Sequence, residues 1–78
     1  MPHVIVKMYS GRSREEKERL AQAITQAVTG ALGSSEASVS VAIQDVSPAD
    51  WPETVYRPEI LERPAEIFKQ PGYNPFAS

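Results

Sequence analysis

Two stretches of alternating apolar residues flank one amphipathic stretch, and that order restricts the fold more than any single residue does. Residues 2–8 read Pro-His-Val-Ile-Val-Lys-Met. Val4, Val6 and Met8 fall on one face and His3, Ile5 and Lys7 on the other. A period of two in a β-branched segment predicts a strand. Pro2 suits its first position, where a missing N–H costs least. Residues 38–46 read Ser-Val-Ser-Val-Ala-Ile-Gln-Asp-Val and alternate again. Val39, Val41 and Ile43 face one way, and Ser38, Ser40, Ala42 and Gln44 the other. Between the two strands, Leu20, Ile24, Ala27, Val28 and Ala31 recur at helical spacing. Ser13 and Glu16 form a capping box at the start of this helix. Gly33 suits the stop after Leu32. Arg14 with Glu18, and Glu15 with Arg19, pair one turn apart on the solvent side.

Strand, helix, strand in so short a span is a β-α-β unit, which requires parallel strands and a right-handed crossover. The remainder is punctuated by proline. Ser47-Pro48-Ala49-Asp50-Trp51 reads as a helical turn capped by Ser47, with Pro48 at its first position. Pro52, Pro58 and Pro64 argue against one long helix. A short turn is expected near 58–62, a helix over 64–69, a turn at Pro71-Gly72, and a loose end from Asn74 to Ser78.

A lone β-α-β unit leaves open sheet edges and an uncovered face, and a two-stranded sheet is rarely stable alone. A chain of 78 residues makes one domain, 1–78, and needs extra support. With no cysteine and one histidine, neither disulfides nor a His- or Cys-rich metal site can supply that support. A second copy of the chain can. Eight basic and ten acidic residues give a net charge of −2, which fits neither a nucleic-acid surface nor an anionic membrane. No apolar run has the length of a membrane span, and the first residues lack a signal-peptide pattern. The expectation is a cytoplasmic protein.

The common catalytic motifs are absent: there is no nucleophile elbow, Gly-rich phosphate loop or H-E-x-x-H. Pro2 stands out instead. A small residue after the initiator methionine permits its removal, which would leave a proline secondary amine at the chain end. An α-amino group titrates at roughly 7.7–8.0 when unperturbed. Burial or a nearby cation lowers that value, so the amine could act as a general base near neutrality. A second-position proline by itself is a weak signal.

The neighbouring residues strengthen it. Pro2 opens an alternating strand; Gly11-Arg12-Ser13 follows, then Glu16-Lys17 in the first helical turn. This Pro-strand-Gly-Arg-Ser-x-x-Glu-Lys arrangement resembles the 4-oxalocrotonate tautomerase family without a gap from residue 2 to about 51. Beyond Trp51 the chain is longer than the short hexameric members. Its extra C-terminal segment and Pro71-Gly72-Tyr73 resemble the dimeric, phenylpyruvate-type branch. The resemblance implies an α+β protomer of the β-α-β tautomerase fold, with a crossover helix and an extra C-terminal helical segment. Each chain would give two parallel strands to a sheet completed by dimerisation.

The resemblance also implies cofactor-independent keto–enol tautomerisation, with no metal, in which the amino-terminal proline moves a proton between oxygen and carbon of an α-keto acid. Pro2 matches that proline. Arg12 matches the arginine that binds the substrate carboxylate. The family's second arginine falls on Ser40, which disfavours dicarboxylates and points to monocarboxylates such as phenylenolpyruvate or 2-hydroxy-2,4-pentadienoate. The pocket aromatic falls on Trp51. Each residue has a plainer reading: a solvated loop arginine, a strand serine, a tryptophan that plugs the core beneath the C-terminal segment. His3, opposite Pro2 in the alternation, reads as a surface or interface residue. Arg57 or Arg63 could stand in for the missing arginine. No acidic residue is obviously placed beside the matched site, which disfavours the hydration and dehalogenation chemistry of related family members. The alternative from a different class is a non-catalytic oligomeric scaffold or small-ligand binder that keeps the fold.

Overall fold

The computed structural model describes residues 1–77. In chain order it contains strand β1 (His3–Tyr9), helix α1 (Arg14–Leu32), a 3₁₀ turn (Glu36–Ser38), strand β2 (Ser40–Val46), a wide helix (Pro52–Leu61) and a second 3₁₀ turn (Pro64–Glu66). The chain divides into two compact units, one ending at Asp45 and the other beginning at Val46.

In the first unit β1 and β2 lie side by side as a parallel two-stranded sheet. Val4, Val6 and Met8 are half-buried while His3, Ile5 and Tyr9 are exposed, as the alternation requires. On β2, Val41 and Ile43 are half-buried as well. Lys17 on α1 reaches Asp45 on β2 at 2.9 Å. Helix α1 starts where its sequence signals it. The Ser13 hydroxyl accepts the Glu16 N–H at 3.1 Å, and the Glu16 carboxylate accepts the Ser13 N–H at 3.0 Å. It stops at Gly33, whose left-handed backbone (φ 71°, ψ 13°) lets its N–H bond the Thr29 carbonyl. The second strand, expected from Ser38, starts at Ser40 instead, because Ser38 ends the 3₁₀ turn that begins at Glu36.

The second unit departs from expectation in three places. Pro58 does not end the helix: one continuous helix runs from Pro52 to Leu61 with Pro58 inside it. In an α-helix a proline ring collides with the carbonyl four residues earlier and lacks the N–H that would bond it. Here the turn is wider. Glu62 N–H bonds the Arg57 carbonyl five residues back at 3.0 Å, and the additional residue per turn relieves the conflict. The helix expected over 64–69 is only the 3₁₀ turn Pro64–Glu66, because Ile67 is extended (φ −93°, ψ 104°). Residues 74–77 are not loose either. Phe76 N–H bonds the Asn74 side-chain oxygen at 2.8 Å, an Asx turn. Ser78, also expected to be loose, lies outside the described residues.

The expected start at Ser47 holds: its carbonyl accepts the N–H of Trp51 at 3.1 Å and its hydroxyl that of Asp50 at 3.3 Å. Among the described residues, only Val55 and Tyr56 are buried. Tyr56 contacts the rings of Tyr73, with centroids 5.5 Å apart, and Phe76, at 5.8 Å. None of the described helices is long and apolar enough to cross a membrane.

Candidate active site

Pro2 lies immediately before β1, half-buried. Its carbonyl accepts the backbone N–H of Ser40, the first residue of β2, at 3.1 Å. Two candidate residues far apart in sequence are thus adjacent at the head of the parallel pair. Met1 is fully exposed. The Ser40 hydroxyl meets His3 Nδ1 at 2.6 Å. His3 is exposed, as its place in the alternation predicts, yet it has a defined partner. Either neutral tautomer permits this bond, since a serine hydroxyl both donates and accepts.

Arg12 follows Gly11, whose φ of 121° turns the chain from the end of β1 toward α1. That conformation is open to glycine and strained for other residues. Arg12 lines an open cleft of about 300 Å³ with Met8, Glu16 and Leu20. Its Nη1 donates to Glu16 at 3.2 Å. The two oxygens of Glu16 therefore serve two donors, the Ser13 N–H and the Arg12 guanidinium. The Ser13 backbone N–H, then the Arg12 guanidinium and the Ser13 hydroxyl, hold the Glu16 carboxyl below the ordinary carboxylate range. An acidic group does stand beside Arg12, contrary to the sequence reading. Periodicity placed Glu16 in the capping box and did not reveal that the same carboxylate also takes the arginine. One nitrogen of the guanidinium is engaged by Glu16, and a planar five-donor fork has further N–H groups to give.

Trp51, in the second unit, donates its indole N–H to the Tyr73 hydroxyl at 2.8 Å. Arg57, a candidate for the missing cation, is bonded to both Glu53 oxygens, at 3.0 and 3.2 Å. Its guanidinium carbon also sits 4.3 Å from the centre of the Phe76 ring. The bond to Arg57 holds the Glu53 carboxyl below its usual range. This argues against Arg57 as a substitute for the second arginine. Among the described residues no group of three or more His, Asp or Glu side chains could hold a metal.

Comparison with known proteins decides the family. Residues 2–52 match the family described as "Tautomerase enzyme". The chain belongs to the tautomerase family. A probable tautomerase of Xylella fastidiosa is 41% identical over all of this chain and 95% of its own length. Tautomerase PptA of Klebsiella pneumoniae is 40% identical over 95% of this chain and 99% of its own. Among solved structures, a heterohexameric 4-oxalocrotonate tautomerase from Chloroflexus aurantiacus superposes with a TM-score of 0.64 at 35% identity. That match covers 69% of this chain and 87% of the other. This tautomerase is an isomerase with the β-α-β fold of the 4-oxalocrotonate tautomerases.

Proposed function

We propose that this tautomerase interconverts the keto and enol forms of small α-keto monocarboxylic acids, with the Pro2 amine, freed by loss of Met1, as the general base. The observation that carries the reading is the placement of Pro2. It directly precedes a paired strand, with its carbonyl held by Ser40, so the amine would sit on a fixed support rather than a fraying end. Neutral Pro2 takes the enol proton while carbon receives one from the conjugate acid, and no cofactor is needed for that exchange. Pro2 and Arg12 stand at opposite ends of the seven-residue β1, more than about 20 Å apart at roughly 3.3 Å per residue, so the carboxylate of a substrate on Pro2 would be bound by Arg12 of the second copy, through guanidinium N–H groups that Glu16 leaves open. The neutral Ser40 offers no second cation, so the far end of the substrate is uncharged.

The working unit is a homodimer whose sheet is shared between chains. Ile5 and Tyr9 on β1 are 52% and 51% exposed in the single chain, and Phe68 is 98% exposed. Apolar surface on this scale in so small a chain supports cover by a second copy. The non-catalytic alternative is not favoured, since relatives about 40% identical over nearly their full length are named tautomerases.

The test is ketonisation of phenylenolpyruvate, followed by ultraviolet absorbance, with wild type and Pro2→Ala. A positioned general base contributes on the order of 10²–10⁴ in rate, and a loss of that size is expected. Full activity of Pro2→Ala with an unchanged pH profile would remove Pro2 from the mechanism.

A further inference from the structure

We propose that His3 and Ser40 form a clamp that fixes the amino-terminal proline, and that Ser40 acts as a positioning residue for Pro2 rather than as a substrate contact. The proposal rests on the reading of Pro2 as the base and adds how that base is held.

In the mature chain Pro2 has no preceding residue, so its only backbone freedom is rotation between Cα and the carbonyl. Whatever fixes its carbonyl, and the residue after it, fixes the amine. Ser40 supplies both restraints. Its backbone N–H bonds the Pro2 carbonyl at 3.1 Å, and its hydroxyl bonds the His3 ring at 2.6 Å. One residue of β2 therefore grips both Pro2 and the first residue of β1, at the point where the strand would otherwise fray. The first bond is ordinary strand pairing that any residue except proline could make. The second needs a short hydroxyl side chain opposite a ring nitrogen, and it ties down the side chain next to the base. His3 and Ser40 are both exposed, so the pair adds little to overall stability. Its effect is on geometry, to which proton transfer is sensitive at the ångström scale. With the Ser40 hydroxyl bonded to His3, its orientation is set by the neighbouring strand rather than by a substrate.

The experiment compares Ser40→Ala, His3→Leu and the double variant, with Ser40→Thr and His3→Asn as conservative rescues. Threonine keeps the hydroxyl, and asparagine keeps a polar atom near the place of Nδ1. Each disruptive single variant should lower kcat on phenylenolpyruvate about fivefold to tenfold, with KM unchanged within about twofold. The double variant should lose no more than either single one, and the two rescues should recover most of the rate. Hydrogen exchange of the amide at position 40, which bonds the Pro2 carbonyl, reports the clamp without catalysis and should speed up in His3→Leu. A KM effect with unchanged kcat in Ser40→Ala would make Ser40 a substrate contact and overturn the proposal. So would additive losses in the double variant, or unchanged exchange in His3→Leu. Pro2→Ala run in parallel separates the two readings. If it keeps full activity, the base assignment fails, and with it anything for the clamp to position, however the exchange experiment turns out.

Discussion

Replacing Gly11 with alanine should damage this protein in two separable ways. Gly11 has φ 121°, and a Cβ built on it would meet nothing within 4 Å. The cost is therefore backbone strain with no steric clash. Strain of this kind is of order 1–3 kcal/mol, and the stiffer unfolded chain of the alanine variant offsets about 0.4–1 kcal/mol of it. A net loss of about 1–2 kcal/mol follows. For a domain of this size each kcal/mol lowers Tm by roughly 4–8 °C. Gly33→Ala is the control. It also has positive φ and open space around it, and it should cost about 1 kcal/mol. Its place differs, since it lies beyond the far end of the 19-residue α1, roughly 30 Å from the first turn. Gly11 precedes Arg12, so relaxing its strain shifts the guanidinium that would meet the substrate carboxylate. A charge-assisted hydrogen bond is worth roughly 1.5–3 kcal/mol, and partial misplacement should raise KM about fivefold or more. Thermal unfolding at matched protein concentration gives the first number and steady-state kinetics the second. Two results would refute the reasoning: a Gly11→Ala protein as stable as wild type, or equal KM changes in both variants.

Intact-mass spectrometry of untagged protein should show a chain beginning at Pro2, and a retained Met1 should coincide with absent activity. Sedimentation equilibrium at micromolar concentration should give a dimer; a compact monomer would contradict the argument from exposed Ile5, Tyr9 and Phe68. kcat/KM should favour phenylenolpyruvate and 2-hydroxy-2,4-pentadienoate over 2-hydroxymuconate, because an unpaired buried carboxylate costs on the order of several kcal/mol. Ser40→Arg should raise the ratio of 2-hydroxymuconate to phenylenolpyruvate turnover even if total activity falls, and an unchanged ratio would count against Ser40 as the residue that limits substrate charge. The Glu16 carboxyl titrates below its usual range in the folded chain, so its contribution is complete above the unfolded value and fades as pH falls through the lower folded one. Helical circular dichroism should therefore begin to fall as pH drops into the ordinary glutamate range and level off below the lower folded value, and Glu16→Gln should flatten that fall.

The helix cap, the strand alternation and the glycine stop were legible because each is written within a few neighbouring residues. Ser13 and Glu16 are three apart, and Gly33 closes the same helix whose period carries Leu20, Ile24 and Val28. Motif spacing singled out Pro2 and Arg12 as candidates because the Pro-strand-Gly-Arg-Ser pattern is likewise local in the sequence. The wide helix was not. Pro58 reads as a breaker by every local rule, and only the five-residue pairing of Glu62 with Arg57 shows how the chain accommodates it. Glu16 was assigned to the cap alone, since spacing does not reveal that a carboxylate has a second donor on its free oxygen.

The amino-acid sequence by itself determined β1, α1 and β2, because those choices depend on side-chain period and on capping groups a turn away. It also determined that disulfides and a cysteine-based metal site play no part, because no cysteine is present. Tertiary structure alone decided the pairings between distant residues: Ser40 with Pro2 and His3, 37 positions apart in the last case, Lys17 with Asp45, 28 apart, and Trp51 with Tyr73, 22 apart. Serine, lysine and tryptophan each have several possible partners in this chain. The partner is chosen when the strands register and the backbone brings two side chains within about 3 Å, a distance that no local pattern encodes.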